Sequence, residues 1–133
     1  MNARSPLAAY HDLLERPLLA ILATTMSDGS PQATPLWFDY DGEFIRVNAA
    51  AGRVKDRNMR REPRVALVIL DDTTPYRYVQ IRGRVVKIIE GDAARVHIDH
   101  LSQRYTGQNW NPVKPDDVRV MYFIRPESIS GLG

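Results

Sequence analysis

Apolar positions along the chain change period several times, and each change marks an element. Leu7, Ala8, Leu13 and Leu14 recur among His11, Asp12 and Glu15 at helical spacing. They predict a short amphipathic helix over Leu7 to Glu15, opened by Ser5-Pro6 and ended by Pro17. Two β-rich runs, LLAILATT and ATPLWFDY, flank an Asp28-Gly29 turn and predict a hairpin. A second turn, Asp41-Gly42, leads into EFIRVN, a third strand carried by Phe44, Ile45 and Val47. The period then becomes helical, with Lys55, Asn58, Met59 and Glu62 on one face, until Glu62-Pro63 stops it because a residue before proline is pushed out of the α region.

RVALVIL, Arg64 to Leu70, reads as a nearly continuous apolar strand. After DDTTP comes YRYVQIRGRVVKII, where Tyr76, Tyr78, Gln80, Arg82 and Arg84 alternate with Val79, Ile81 and Val85. Such alternation predicts one face in a core and one in water or at a partner, and Gly83 in mid-strand predicts a bend or bulge. Asp92 to Tyr105 returns to helical spacing through Ala94, Val96, Ile98 and Leu101, TGQNWNPVKPDD is a loop, and VRVMYFI closes the fold as a last strand. The early strands are joined by hairpins too short for a crossover, so about six strands with short helices predict a mostly β, antiparallel barrel rather than a parallel sheet.

Composition narrows the chemistry. The 133 residues predict a single domain spanning 1–133. The longest uncharged apolar stretch, Pro17 to Thr25, is too short to cross a bilayer, so no membrane partner is expected. Charges run through the N-terminal segment, which does not read as a secretion signal, and a cytoplasmic protein is expected. Without cysteine there is no disulfide, thiolate nucleophile or cysteine-ligated metal. His97 and His100 stand three apart on the predicted helix, a spacing that can serve a metal, but no third ligand is signalled and histidines on a charged helix usually face solvent. No metal site is expected. Ser27, Ser30 and Ser102 lack a nucleophile-elbow pattern, Asp71-Asp72 reads as a strand-end turn, and neither a Walker loop nor GxGxxG occurs. No side chain advertises itself as a reagent, so an enzyme of this sequence would take its chemistry from a bound cofactor.

The formal net charge is only +2, yet six of the basic residues fall in GRVKDRNMRREPR, Gly52 to Arg64. A small-residue loop, AAAG, leads into a helix whose first turn carries Arg53, Lys55 and Arg57. Helix-start N–H groups and nearby cations converge on a phosphate, although a solvated basic helix would have the same composition. Nucleic acid calls for aromatics interleaved with the cations on one surface, and here Trp37, Phe38, Tyr40 and Phe44 lie on strands separate from the basic segment.

The ordered set SDGSPQATPLWFDYDGEFIRVN, AAAGRVKDRNMRREPRVALVI, YRYVQIRGRVVKI, HIDHLSQRYTG and VRVMYFIRPESISG covers nearly the whole chain. It resembles the pyridoxamine 5′-phosphate oxidase-like flavin and deazaflavin oxidoreductases, and among them the branch that uses 8-hydroxy-5-deazaflavin, coenzyme F420. The resemblance implies a split β-barrel homodimer with a cofactor in each of two clefts at the subunit interface. It implies that Arg53 and Lys55 bind the cofactor phosphate beside Arg57 and Asn58. Gln32, Thr34, Pro35 and Trp37 would hold the ring system, Asn48 and Ala49 would line the path between ring and phosphate, and Arg119 would reach the cofactor. Tyr76, Arg77, Tyr78 and Val79 would close the cleft from the neighbouring protomer. The implied activity is hydride transfer from reduced F420 to a small conjugated or polycyclic acceptor. Trp37 would supply apolar wall, a tyrosine or an ordered water would return the proton, and Arg60, Arg61 or Arg64 would meet the acidic tail of F420. An FMN-dependent oxidase or reductase of the same architecture, or a non-catalytic carrier of F420, haem or another tetrapyrrole, are the alternatives.

Overall fold

The computed structural model describes residues 7–74, 76–111 and 117–133. The Ser5-Pro6 start signal, Pro75 and part of the polar loop before the last strand lie outside them. A 3-10 turn, Ala8–Tyr10, runs into helix α1, His11–Glu15. The strands are β1 Ala20–Thr25, β2 Pro31–Leu36, β3 Phe38–Tyr40, β4 Ile45–Ala50, β5 Arg64–Leu70, β6 Tyr78–Glu90 and β7 Arg119–Leu132. Helix α2, Val54–Arg61, follows β4, and helix α3, Asp92–Thr106, follows β6.

All seven strands form one sheet in the order β2-β1-β5-β6-β7-β4-β3, and every pairing is antiparallel. The two edge strands, β2 and β3, are consecutive in sequence and separated by Trp37 alone. The ends of a seven-stranded sheet can meet across one residue only if the sheet rolls up, so the fold is a barrel left split at that corner. The continuous run ATPLWFDY was expected to be one strand. Barrel curvature breaks it at Trp37, and the third strand of the sequence reading becomes the fourth.

The core lies inside the roll, where Leu22, Phe38, Ile45, Leu67, Ile69, Ile81, Tyr122 and Ile124 are buried. Gly83 is set by close approach, because a Cβ there would lie 2.4 Å from the Arg125 carbonyl oxygen, and the β6/β7 register shifts beside it. The predicted bulge is therefore present. The strand around it starts at Tyr78, two residues later than expected, since Tyr76 takes φ +72 in the turn. The last strand runs on to Leu132 rather than stopping near Ile124. From Arg125 it pairs with β6 only, and Pro126 lies opposite Gly83 beside the register shift, where a strand tolerates proline. On α3, Val96 is exposed rather than core.

Arg104 joins the N-terminal helix to the barrel. Its guanidinium donates to the carbonyls of Leu14 (3.0 Å), Glu15 (3.1 Å), Arg16 (2.7 Å) and Phe38 (3.2 Å). These include the last carbonyls of α1, which have no intrahelical partner. Arg104→Leu is expected to lower stability by about 1.5–3 kcal/mol, read by denaturant unfolding, because part-buried carbonyls lose a charged donor. Wild-type stability in this variant would show the cap to be redundant.

Candidate functional site

A cavity of about 310 Å³ opens where the barrel edges meet, lined by Leu19, Pro35, Leu36, Trp37, Asn48, Ile98, Leu101, Trp110 and Arg119. Four of the residues expected at a cofactor, Pro35, Trp37, Asn48 and Arg119, thus share one wall. Trp37 stacks on Tyr105 with centroids 5.2 Å apart and planes 14° apart, and meets Trp110 edge-on at 6.0 Å. Tyr105 backs Trp37, and its hydroxyl donates to the Leu18 carbonyl at 2.5 Å while accepting from Phe38 N–H at 3.1 Å. Burial pushes the Tyr105 phenol up, so it stays protonated and committed to that carbonyl. The Trp110 Nε1 and the Thr34 hydroxyl are buried with no hydrogen-bond partner among the described residues.

The polar end of the cavity is Arg119. Its Nε donates to Asn48 Oδ1 at 2.9 Å, and its guanidinium lies 5.2 Å from the Trp110 ring centroid. Burial lowers its pKa, Asp117 counteracts this, and Arg53 adds to the lowering. Lys55 is lowered by burial, then by Arg53 and Arg119. Arg53, Lys55 and Arg119 therefore form a mutually repelling trio, and none of them has an ion-pair partner among the described residues. Asp117 offsets this repulsion at Arg119, and a bound anion would relieve it across the trio.

The rest of the basic segment is spent elsewhere. Arg60 pairs with Asp56 and Glu90, Arg64 with Glu62, and Arg61 donates to the Thr25 carbonyl and to Asn58. Those three, expected to extend toward an acidic tail, are engaged within the protomer. Arg57 is exposed. The helix start is held by Asp56, which accepts from Gly52 N–H and Arg60 Nε, each at 2.8 Å, and from the Tyr122 hydroxyl. Gly52 takes φ +85, a conformation that favours glycine. Arg53, the N-cap residue, carries no acceptor and supplies no side-chain cap to the first-turn N–H groups.

The remaining expected residues are placed differently. Asn58 is buried and donates to Thr24 Oγ1, tying α2 to β1, and Gln32 accepts from the same hydroxyl. Ala49 and Val79 are core. Arg77 pairs with Asp12 and Asp71, Tyr76 is exposed, and none of Tyr76, Arg77, Tyr78 and Val79 lines the cavity. A larger groove of about 470 Å³ runs over Ala23, Ala66 and Gly83 between Arg64 and Arg82, but no aromatic ring lines it.

Sequence reasoning missed His97. It was expected in solvent and is 4% exposed, held between Asn48 and Asp39. Asp39 also takes both Arg46 Nε (2.8 Å) and Nη2 (2.7 Å). Burial pushes its carboxyl up, but His97 and Arg46 outweigh that and bring it from 3.8 to about 2. A depressed carboxyl stabilises the fold above its unfolded value and loses that contribution as pH falls through its folded one. Asp39→Asn is expected to lose about 2 kcal/mol at pH 7 and to flatten the stability profile between about pH 4 and 2. A variant whose acid profile matched the wild type would remove Asp39 from the acid response. Among the described residues no group of three or more His, Asp or Glu is placed to hold a metal ion, and no helix is long and apolar enough to cross a membrane.

Comparison with known proteins bears on this geometry. The pyridoxamine 5′-phosphate oxidase family model matches residues 7–131. A solved F420 reductase is 38% identical with a TM-score of 0.81, over 90% of this chain and 94% of that one. A conserved hypothetical protein from Mycobacterium tuberculosis is 28% identical with a TM-score of 0.75, over 93% of this chain and 82% of that one. A pyridoxamine 5′-phosphate oxidase-like protein from Listeria innocua shares the fold at 22% identity and a TM-score of 0.69, over 94% of this chain and 96% of that one.

Proposed function

Since the chain belongs to the pyridoxamine 5′-phosphate oxidase family, in the branch that resembles the F420 reductase, we propose that it is an F420-dependent oxidoreductase. The observation that carries this reading is Arg119, which lines the tryptophan-walled cavity and lies within electrostatic reach of Arg53 and Lys55. That is the anatomy of a site for an elongated ligand with an anionic middle and a flat ring. Reduced F420 supplies a hydride, two electrons with one proton, to an acceptor carbon. The protein's part is to bind and orient. Arg53 and Lys55 take the phosphodiester, Trp37 and Pro35 give the ring an apolar wall, and the fixed wall holds donor and acceptor carbons about 3–3.5 Å apart. With the Tyr105 hydroxyl committed to Leu18, the proton for the acceptor comes from another tyrosine or from water rather than from Tyr105. The acceptor is a small conjugated or polycyclic compound that fits beside Trp110.

The proposed working form is a homodimer in which Tyr76 and Tyr78, exposed or half-buried here and away from the cavity, reach the partner's cleft. An FMN-dependent reading draws on the same family match, while the 38% identity to an F420 reductase favours F420. Quenching of Trp37 and Trp110 fluorescence on titration with each cofactor separates them. F420 is expected to bind at least tenfold tighter than FMN, and the reverse order would overturn the assignment.

A further inference from the structure

His97 sits behind the cavity wall, and the hydrogen bonds on either side of it run in one direction only. At one end Arg119 can only donate, so the Asn48 atom it meets at 2.9 Å is the amide oxygen. The Asn48 nitrogen then faces inward, donating to the Ala94 carbonyl at 2.9 Å and pointing at His97 Nδ1 at 3.1 Å. Asn48 has two N–H groups, and this arrangement uses both. At the other end Asp39 is ionised and can only accept, and it lies 3.4 Å from His97 Nε2. Both ends therefore demand the same tautomer, with a bare Nδ1 and a proton on Nε2. Asp39 is itself fixed by Arg46 through two bonds and approached by His100 at 3.4 Å.

We propose that His97 is a positioning residue: its Nδ1 lone pair locks the Asn48 amide with its oxygen toward Arg119 and so holds that guanidinium at the polar end of the cavity. Without His97 the Ala94 carbonyl alone would hold the amide, and in the flipped orientation its N–H₂ would oppose the Arg119 Nε–H donor. Arg119 would then lose its tether and its seat over Trp110. The role deepens the cofactor reading and rests on it for its consequence in binding, while the tautomer itself does not depend on any ligand.

Two measurements test it. Long-range nitrogen–proton NMR of the ligand-free protein, with His97 assigned by its absence in His97→Asn, is expected to show Nε2 protonated and Nδ1 bare. A proton on Nδ1 overturns the proposal. In F420 titrations, His97→Leu, which keeps bulk but has no lone pair, is expected to weaken binding about tenfold, the size of one lost oriented hydrogen bond. His97→Asn, whose amide oxygen falls near the Nδ1 position, is expected to restore affinity to within about threefold, because the acceptor returns. Equal weakening in the two variants, or none in either, overturns the proposal. If the wild-type protein does not bind F420, the cofactor reading fails, and the ring nitrogens decide this inference alone: a proton on Nε2 sustains it and a proton on Nδ1 ends it.

Discussion

Lys55→Ala is expected to weaken F420 binding about 10- to 100-fold while leaving the fold intact. The side chain is half-buried and makes no ion pair among the described residues, so its charge contributes nothing to the free protein and is available to a ligand. A charge-assisted hydrogen bond to a partly desolvated phosphate is worth about 1.5–3 kcal/mol, which converts to that range. Removing the charge also relieves its repulsion with Arg53 and Arg119, so stability is expected to hold or rise slightly. Affinity should depend on pH with a definite sign. The free-site pKa of Lys55 is lowered, first by burial and then by the two arginines, and a bound anion raises it. Binding is therefore strongest where Lys55 is protonated and falls as pH rises through its titration, and Lys55→Ala loses that slope. Lys87→Ala, at an exposed cation beside Phe123, is expected to change nothing. Equal effects of the two substitutions would reduce the site to general electrostatics.

Asp56→Ala is expected to be the most destabilising of these changes, by about 3–5 kcal/mol in thermal or denaturant unfolding. The carboxylate is buried and holds Gly52 N–H, Arg60 and the Tyr122 hydroxyl together. Its loss strands the Tyr122 hydroxyl and the Gly52 N–H, while Arg60 keeps Glu90. Burial pushes the Asp56 carboxyl up, yet Tyr122, Gly52 and Arg60 outweigh burial and lower it. Its contribution is thus complete above the ordinary carboxylate range and disappears as pH falls below it. Burial and Asp56 together push the Tyr122 phenol up, which keeps that hydroxyl a donor at any ordinary pH. Tyr122→Phe removes one donor without stranding the others, and about 1–2 kcal/mol is expected. Binding separates geometry from charge. Deleting an anion near a phosphate site should tighten binding if electrostatics alone mattered. Weaker F420 binding is expected, because the Gly52 turn and the Arg53 helix start lose their anchor.

Local chemistry made part of this legible. RVALVIL became a strand with the expected bounds, Glu62-Pro63 ended the basic helix, and Gly83 marked a bulge. The cationic start of α2 was legible as well, since Arg53 and Lys55 follow a small-residue loop. What stayed hidden depends on residues far apart in the chain. Trp37 breaks its run because the two edges of a rolled sheet must meet there, which no window around ATPLWFDY contains. Strand β7 was cut short because Pro126 and the serines beyond it look like a terminator unless the register shift opposite Gly83 is known. His97 looked like a surface histidine because Asp39 and Asn48, which bury it, come from two other strands. Arg60 and Arg64 looked free, although the spacing of Asp56 before Arg60 is a visible i,i+4 pair.

A crystal structure of the protein with F420 puts the joined site to the most direct test. The phosphodiester is expected within about 3 Å of Lys55 Nζ and the Arg53 guanidinium, with the deazaflavin ring against Trp37. A phosphodiester seated instead in the groove between Arg64 and Arg82, with Lys55 and Arg53 facing solvent, would contradict the assignment.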